Sequence, residues 1–393
     1  MKIKTFNVNL LYTYKFLSQC LPIYAFYTLL FIERGLSVNA VAVLIALWSV
    51  FAIVFEVPSG ILADRWNRRN MLVISAVLQG LCFIVWFFSH TLLMFAVGFV
   101  FWGVSGAFVS GTEEGLIYDN LKSDGREGDF VKVYGKARFF SNAGILAGIA
   151  SAGILASFVS IGAITLISAA ICLVNAVLAS LLREKNYYSG RLDKESGGFF
   201  ETLKEAVLLF KGNRAILISV LFLVFFASLG GYFDEFDALI IGDFGLGNIW
   251  VSVILTVRFV FAALGNLIAP KIGSKVSSVN RVFLINGLAC VLLVLFSIIW
   301  NRHAIPILGL SCMFMAITEV LLVNTMQKEI NEEGRATVMS FYSVGQNIAM
   351  ICFSLIYALL AGIFTLQQTY IIISVYGLIG VLCFCVSYIL LKI

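Results

Sequence analysis

Apolar segments about as long as a bilayer is thick recur along this 393-residue sequence, and they constrain its fold more than any other feature. A helix needs about 20 residues to cross a hydrocarbon core of roughly 30 Å. Hydrophobic residues make up 61% of the chain and charged residues 12%, far from the balance of soluble proteins. We therefore predict an all-α membrane protein with twelve spans, near residues 11–32, 38–59, 71–89, 92–118, 137–157, 159–182, 214–241, 248–270, 282–300, 304–327, 338–364 and 369–391.

The lysines and arginines between the spans predict the topology. If both termini are cytoplasmic, the cytoplasmic connections carry nearly all the basic residues, and the opposite connections hold only Arg34 and Arg302. Cytoplasmic loops of membrane proteins are enriched in this way, and a missed span would invert the pattern downstream. We expect an even number of spans, cytoplasmic termini and a multi-pass protein of the inner (cytoplasmic) membrane.

A long polar stretch at 183–213 divides the chain into two halves of six spans, 1–182 and 214–393. Within that linker, 199–211 has the pattern of an amphipathic helix lying on the inner surface. The net charge of +5 is accounted for by topology and by anionic lipid, so we expect a bilayer and no nucleic acid as partner.

The connection after span 2 carries a cluster of charged residues and a glycine. Gly60, Asp64, Arg65, Arg68 and Arg69 read Gly-x3-Asp-Arg-x2-Arg-Arg, and this pattern resembles the loop between helices 2 and 3 of the major facilitator superfamily. With the preceding Glu-x-Pro, it is also similar to the variant loop of clostridial-type (P-class) tetracycline efflux proteins. The resemblance implies a transporter with two six-helix halves and, by family default, a monomer.

The resemblance also implies roles for residues in this loop. Asp64 would cap the inner end of helix 11, and Arg68 would pair with an acid on helix 4, for which Asp119 is the candidate. An acid at a helix N-terminus is favoured by the helix dipole. Gly60, Asp64, Arg65, Arg68, Arg69 and Asp119 would together form a conformational latch.

Two other stretches bear on the direction of transport. Span 5 contains Gly144 and Gly148, resembling an antiporter signature in which Ile149 replaces a proline, although small residues at this spacing also serve helix packing. Span 4 lacks the arginine that the superfamily often uses in proton coupling, which weakens the case for antiport.

Carboxylates within or beside the spans are the candidates for proton or substrate binding: Glu56, Glu113, Glu114, Asp234, Asp237 and Glu319. Glu113 and Glu114 could carry protons, or they could be structural partners of the loop arginines, which we favour. Asp234 and Asp237 share one helix face by their i,i+3 spacing, and Arg258 lies at a similar depth on span 8. Because an unpaired charge there is costly, we predict that one of the two meets Arg258, either as a static pair or as a switch.

Polar side chains elsewhere in the spans are candidates for a substrate cavity: Gln19, Tyr232, Tyr342, Gln346 and Asn347. The sequence has no phosphate-binding Gly-x4-Gly-Lys-Ser/Thr loop, and its histidines, His90 and His303, fall in separate turns. We therefore expect no enzyme activity, no metal and no cofactor, with a proton gradient as the energy source.

These features favour proton-coupled export of a small molecule, namely an amphipathic drug-like compound, with a tetracycline-type antibiotic as the leading specific hypothesis. An aromatic-rich interior with few acids suits such compounds better than sugars. Two alternatives stay open: an importer or facilitator of a small metabolite, and a non-transporting sensor or assembly partner.

Overall fold

The computed structural model describes residues 7–184, 214–273, 279–329 and 332–392, and among these every regular element is helical. Twelve stretches are long and apolar enough to cross a membrane, as the sequence predicts. The helices are α1 (Val8–Gln19), α2 (Tyr27–Glu33), α3 (Val38–Arg65), α4 (Arg68–Phe88), α5 (Leu92–Val109), α6 (Thr112–Ser123), α7 (Phe130–Leu155), α8 (Ile161–Leu181), α9 (Arg214–Asp243), α10 (Asn248–Gly273), α11 (Val279–Ile299), α12 (Ile305–Glu329), α13 (Glu332–Ala361) and α14 (Leu366–Lys392).

The chain divides into two compact units, formed mainly by α1–α8 and mainly by α9–α14. In the first unit, hereafter the N half, α4 packs against α5 and α8, and α1 packs against α7. In the second unit, the C half, α11 packs against α12 and α14, and α9 packs against α13. The amphipathic helix predicted at 199–211 lies outside the described residues.

Span 1 is interrupted, although the sequence predicted a continuous helix. Helix α1 ends at Gln19, a 3-10 turn covers Pro22–Ala25, and α2 begins at Tyr27. Pro22 stands at the first position of that turn, where its missing N–H costs no hydrogen bond. The proline therefore ends α1 and lets the chain change direction inside the bilayer.

The glycines of span 5 accommodate this interruption. A Cβ on Gly144 would lie 2.2 Å from the carbonyl oxygen of Phe16, and one on Gly148 would lie 2.7 Å from the backbone N of Leu21. Only a glycine surface allows α7 to approach the broken backbone so closely. The Gly-x3-Gly pattern thus has a packing role in this chain, at the point where span 1 unwinds.

Span 4 is interrupted as well, again where the sequence predicted one helix. Helix α5 ends at Val109, and Gly111 has a left-handed backbone with φ +70° before α6 begins at Thr112. Glycine adopts this conformation without steric cost. The break places Glu113 and Glu114 in the first turn of α6, where the helix dipole favours acids.

The connection after span 2 is shorter than its sequence suggests. Helix α3 continues through Pro58 to Arg65, and α4 starts at Arg68, so only Trp66 and Asn67 form the turn. The charged residues of this connection therefore stand on helix ends. Arg68 and Arg69 open α4 and leave their backbone N–H groups available for capping.

Candidate functional sites

A cavity of about 150 Å³ lies among α9, α10, α11 and α12 of the C half. Its charged lining residues are Asp234, Arg258 and Glu319. Its apolar walls include Phe226, Phe259, Met315 and Leu322.

Arg258 forms ion pairs with both aspartates of α9. Its Nη2 donates to Asp234 Oδ1, and its Nε lies 2.5 Å from Asp237 Oδ2. The same Nε donates to Cys312 Sγ at 3.1 Å, which fixes the plane of the guanidinium. The sequence predicted that one aspartate would meet Arg258, and the i,i+3 spacing brings both of them to it.

The two aspartates differ in their access to the cavity. The side chain of Asp237 is fully buried, with 0% exposure, whereas that of Asp234 is 44% exposed and lines the cavity. A single guanidinium cannot balance two carboxylates, so the ionised cluster carries one uncompensated negative charge. Because such a charge is costly within a membrane, the cluster favours binding a proton or a cationic group.

Other residues predicted for a cavity in the C half have different surroundings. Tyr232 is fully buried, its ring packs against those of Phe236 and Tyr357 at 4.8 and 5.1 Å, and it does not line this cavity. The other three, on α13, do not line the cavity between α9 and α12: they are the half-buried Tyr342, Gln346 and Asn347.

A second cavity, of about 170 Å³, lies in the N half where both interrupted spans meet. Gln19 and Tyr24 flank the break in span 1, and Gly106 and Glu113 flank the break in span 4. Gln19 was predicted to face a cavity and does so. Helices α4, α5 and α8 contribute polar residues to the lining that no sequence pattern indicated: Ser75, Gln79, Ser105 and Asn175.

Lys15 and Glu113 form a buried ion pair at the edge of this second cavity. The Tyr14 hydroxyl also hydrogen-bonds to Glu113, and Tyr134 Oη donates to Glu114 Oε1 at 2.8 Å. These contacts face the two acids toward α1 and α7. The loop arginines that we favour as their partners include Arg65, whose side chain lies outside what the structure describes, so that expectation stays a prediction.

Near the start of α4, Arg68 Nη1 lies 2.9 Å from Asp119 Oδ2, the pair that the loop motif predicted. Glu184, just after α8, accepts hydrogen bonds from the backbone N–H groups of Arg68 at 2.6 Å and Arg69 at 3.1 Å. It therefore caps the N-terminus of α4 with a negative charge. The sequence analysis did not identify Glu184, because no local pattern links a residue after span 6 to the start of span 3.

The end of α8 is fixed by two further contacts. Asn120 Nδ2 donates to the carbonyl oxygen of Arg183 at 2.9 Å, and Arg183 Nη1 lies 3.1 Å from Asp124 Oδ1. The ends of spans 3, 4 and 6 thus form one polar network in the N half.

Several predicted site features stay predictions. The side chains of Asp64 and Arg65, the surroundings of Gly60, and the side chains at the start of α13 that Asp64 would cap all lie outside what the structure describes. Glu56 is half-buried on α3. In the part of the chain that the structure describes, no group of three or more histidine, cysteine, aspartate or glutamate side chains could hold a metal ion.

Sequence comparison links the chain to a family of membrane transporters. The family model described as Major Facilitator Superfamily matches residues 15–332. The "Uncharacterized MFS-type transporter YfkF" of Bacillus subtilis (strain 168) is 36% identical over 64 residues, which cover 16% of this chain and 15% of that relative.

Solved structures with a similar fold cover nearly the whole chain. A crystal structure of the nucleoside transporter NupG aligns with a TM-score of 0.81 at 16% identity, over 97% of this chain and 98% of that one. A D-xylose-proton symporter aligns with a TM-score of 0.72 at 14% identity, over 96% and 95%. At these identities the likeness shows the fold alone.

Proposed function

This chain belongs to the major facilitator superfamily of membrane transporters, and we propose that it is a secondary active transporter that exports amphipathic, weakly cationic compounds by alternating access in exchange for protons. A tetracycline-type antibiotic is the leading specific substrate. The observation that carries the proposal is the cluster of Asp234, Asp237 and Arg258 beside a cavity in the C half.

Charge balance supports proton coupling at this cluster. Asp234 and Asp237 share one guanidinium, so the ionised cluster of these two carboxylates and Arg258 has a net charge of −1, and Glu319 is a further carboxylate on the cavity wall. Protons or a cationic substrate can supply the missing positive charge, and the two compete for the same carboxylates. This competition leads to exchange. A proton that binds from one side of the membrane displaces the cation, and a cation that binds from the other side displaces the proton.

The walls of the cavity support an amphipathic substrate. Phe226, Phe259 and Met315 offer aromatic and polarisable surface close to Asp234. A volume of about 150 Å³ accommodates roughly one aromatic ring, so the cavity would take the amine-bearing end of a larger molecule. Ammonium groups are well matched to a carboxylate flanked by aromatic rings.

The polar network at the ends of spans 3, 4 and 6 supports gating in the proposed cycle. The Arg68–Asp119 pair and the Glu184 cap hold three helix ends in one arrangement. We assign Gly60, Asp64, Arg65 and Arg69 to the same latch on the strength of the loop motif. A monomer in the cytoplasmic membrane, driven by the proton gradient and without a cofactor, completes the proposal.

Import of a small polar metabolite is a second candidate function. The N-half cavity is lined by amide and hydroxyl side chains, among them Gln19, Gln79 and Asn175, which suit a hydrogen-bonding molecule. The solved structures of similar fold include transporters of a nucleoside and of D-xylose.

The test is substrate-dependent proton movement in inside-out vesicles that contain the purified protein. Tetracycline is the first compound, followed by a panel of cationic aromatic compounds, uridine and D-xylose. Export by antiport requires that one cationic compound dissipates an imposed proton gradient, whereas dissipation by uridine or D-xylose alone would favour the metabolite transporter. No response to any compound from folded protein would overturn export by antiport and proton-coupled import alike.

A matched pair of variants distinguishes a specific role of the cluster from a general effect of removing a negative charge from α9. Asp234→Asn should abolish the coupled proton movement. Asp243→Asn, at the exposed end of the same helix, should leave it unchanged, because Asp243 accepts a hydrogen bond from Trp300 Nε1 and does not line the cavity. Equal effects of the two variants would contradict the assignment of Asp234.

A further inference from the structure

We propose that the N-half cavity is a binding site for a neutral planar ring that carries a carboxamide or a similar hydrogen-bonding edge, with Asn175 as its specificity-determining residue. This binding site is separate from the acidic cluster of the C half and has no net charge. Its assignment rests on the geometry of the N half alone and does not depend on the proposed direction of transport.

The first support is the position of the two helix breaks. Gln19 and Tyr24 flank the break in span 1, and Glu113 follows the break in span 4, and all three line this cavity. Interrupted backbone at membrane depth is tolerated where it is buried in protein or lines a polar cavity. Two interruptions that converge on one cavity indicate that the N half maintains a polar space here.

The second support is an unmatched acceptor. Asn175 on α8 is 2% exposed and lines the cavity, and its Oδ1 is buried without a hydrogen-bond donor among the residues that the structure describes. A buried amide oxygen without a donor costs free energy. A ligand N–H or O–H that enters the cavity can supply the donor.

Most other polar groups of the cavity are already matched. Ser75 and Ser105 hydrogen-bond to each other at 2.9 Å, and Gln79 Nε2 donates to Tyr24 Oη at 2.8 Å. These pairs hold the walls in place and direct an incoming ligand to Asn175. Among the described residues that line this cavity, Asn175 Oδ1 is the buried side-chain acceptor that remains unmatched.

Charge and shape define the class of ligand. Lys15 and Glu113 neutralise each other, so the cavity has no net charge to offer an ion. The rings of Tyr24 and Trp102 stack with centroids 5.5 Å apart and form a flat aromatic wall. A volume of about 170 Å³ has room for a single ring and a small substituent.

Nicotinamide is a suitable probe, because it is a neutral ring with one carboxamide. Binding to the full chain in lipid nanodiscs would be measured by saturation-transfer NMR titration, with toluene as the ring without an amide. We expect saturable binding of nicotinamide, and a dissociation constant about tenfold higher in Asn175→Leu, the change that the loss of one hydrogen bond produces.

Asn286→Leu is the matched control, because Asn286 is also a buried asparagine but lines the cavity of the C half. It should leave nicotinamide binding unchanged. If Asn175→Leu does not fold, Gln79→Leu removes the neighbouring amide and should also weaken binding. Equal binding of nicotinamide and toluene, or equal effects of the Asn175 and Asn286 substitutions, would overturn the site, whether or not any compound moves protons in the vesicle assay.

Discussion

The cavities of the two halves are built by different means. In the N half, the cavity lies where two spans lose their helical backbone, and its ion pair of Lys15 and Glu113 is electrically balanced. In the C half, each span from α9 to α14 is a single helix in the described residues, and the cavity is marked by charge that is not balanced.

The N-half cavity is thus defined by the shape of the backbone, and the C-half cavity by its charge. Backbone breaks fix the position of hydrogen-bonding groups without a titratable side chain, so they suit recognition of a neutral ligand. Carboxylates that share one arginine change their net charge when a proton binds, so they suit coupling to a gradient. In the cycle that we propose, the N-half cavity would bind a neutral group, and the C-half cluster would couple binding of a cationic group to the proton gradient.

Among the substitutions that test this comparison, removal of Arg258 should reduce coupled transport the most. Arg258→Leu leaves Asp234 and Asp237 without their shared partner, and loss of one member of a buried ion pair costs about 3–5 kcal/mol. We expect coupled transport to fall about 100-fold or more. Proton movement and thermal midpoint should both be measured in the purified protein.

Charge exchange provides the control for Arg258. The double variant Arg258→Asp with Asp237→Arg should recover part of the function that either single reversal loses. Losses that simply add would show that the two side chains are not coupled.

The pair of Lys15 and Glu113 should behave differently, because it has no net charge. Lys15→Met or Glu113→Gln alone leaves an unmatched buried group. Each should lower the free energy of unfolding by about 3 kcal/mol, which is measured as a lower thermal midpoint. The double variant should regain most of that loss. A double variant as unstable as the sum of the singles would remove the contrast with the C half.

The sequence predicted much of this architecture, because apolar length and the positions of basic residues report directly on membrane crossing. It also predicted that Arg258 meets an aspartate of α9, since an unpaired charge at that depth in a membrane is costly. The contact between Arg68 and Asp119 was implied by the resemblance of the loop motif to the family, and not by spacing alone.

The breaks in spans 1 and 4 could not be predicted from the same patterns. Pro22 and Gly111 are visible in the sequence, but many membrane helices contain proline or glycine and stay continuous. The break depends on tertiary contact, as the fit of Phe16 and Leu21 against α7 demonstrates. Glu184 was missed for the same reason, because its partners lie 115 residues or more away in the chain.

A methyl group on α7 tests whether that contact maintains the break in span 1. Gly144→Ala would place a Cβ 2.2 Å from the Phe16 carbonyl oxygen, so α1 or α7 must shift, at a cost of about 1–3 kcal/mol. We expect a lower thermal midpoint and weaker nicotinamide binding. Gly135→Ala on the same helix is the control, since a Cβ there meets nothing within 4 Å.

The smallest expected effect is at Glu184, which also acts on backbone groups of the N half. Glu184→Gln keeps one oxygen but removes the charge at the N-terminus of α4, and capping interactions of this kind contribute about 1 kcal/mol. The thermal midpoint should fall by roughly 2 °C, whereas Glu127→Gln, at an exposed position, should leave it unchanged. If Glu184→Gln alters proton movement more than it alters stability, the cap takes part in the conformational change. That result would support the gating role proposed for this network, whereas a change in proton movement no larger than the change in stability would make Glu184 a structural cap alone.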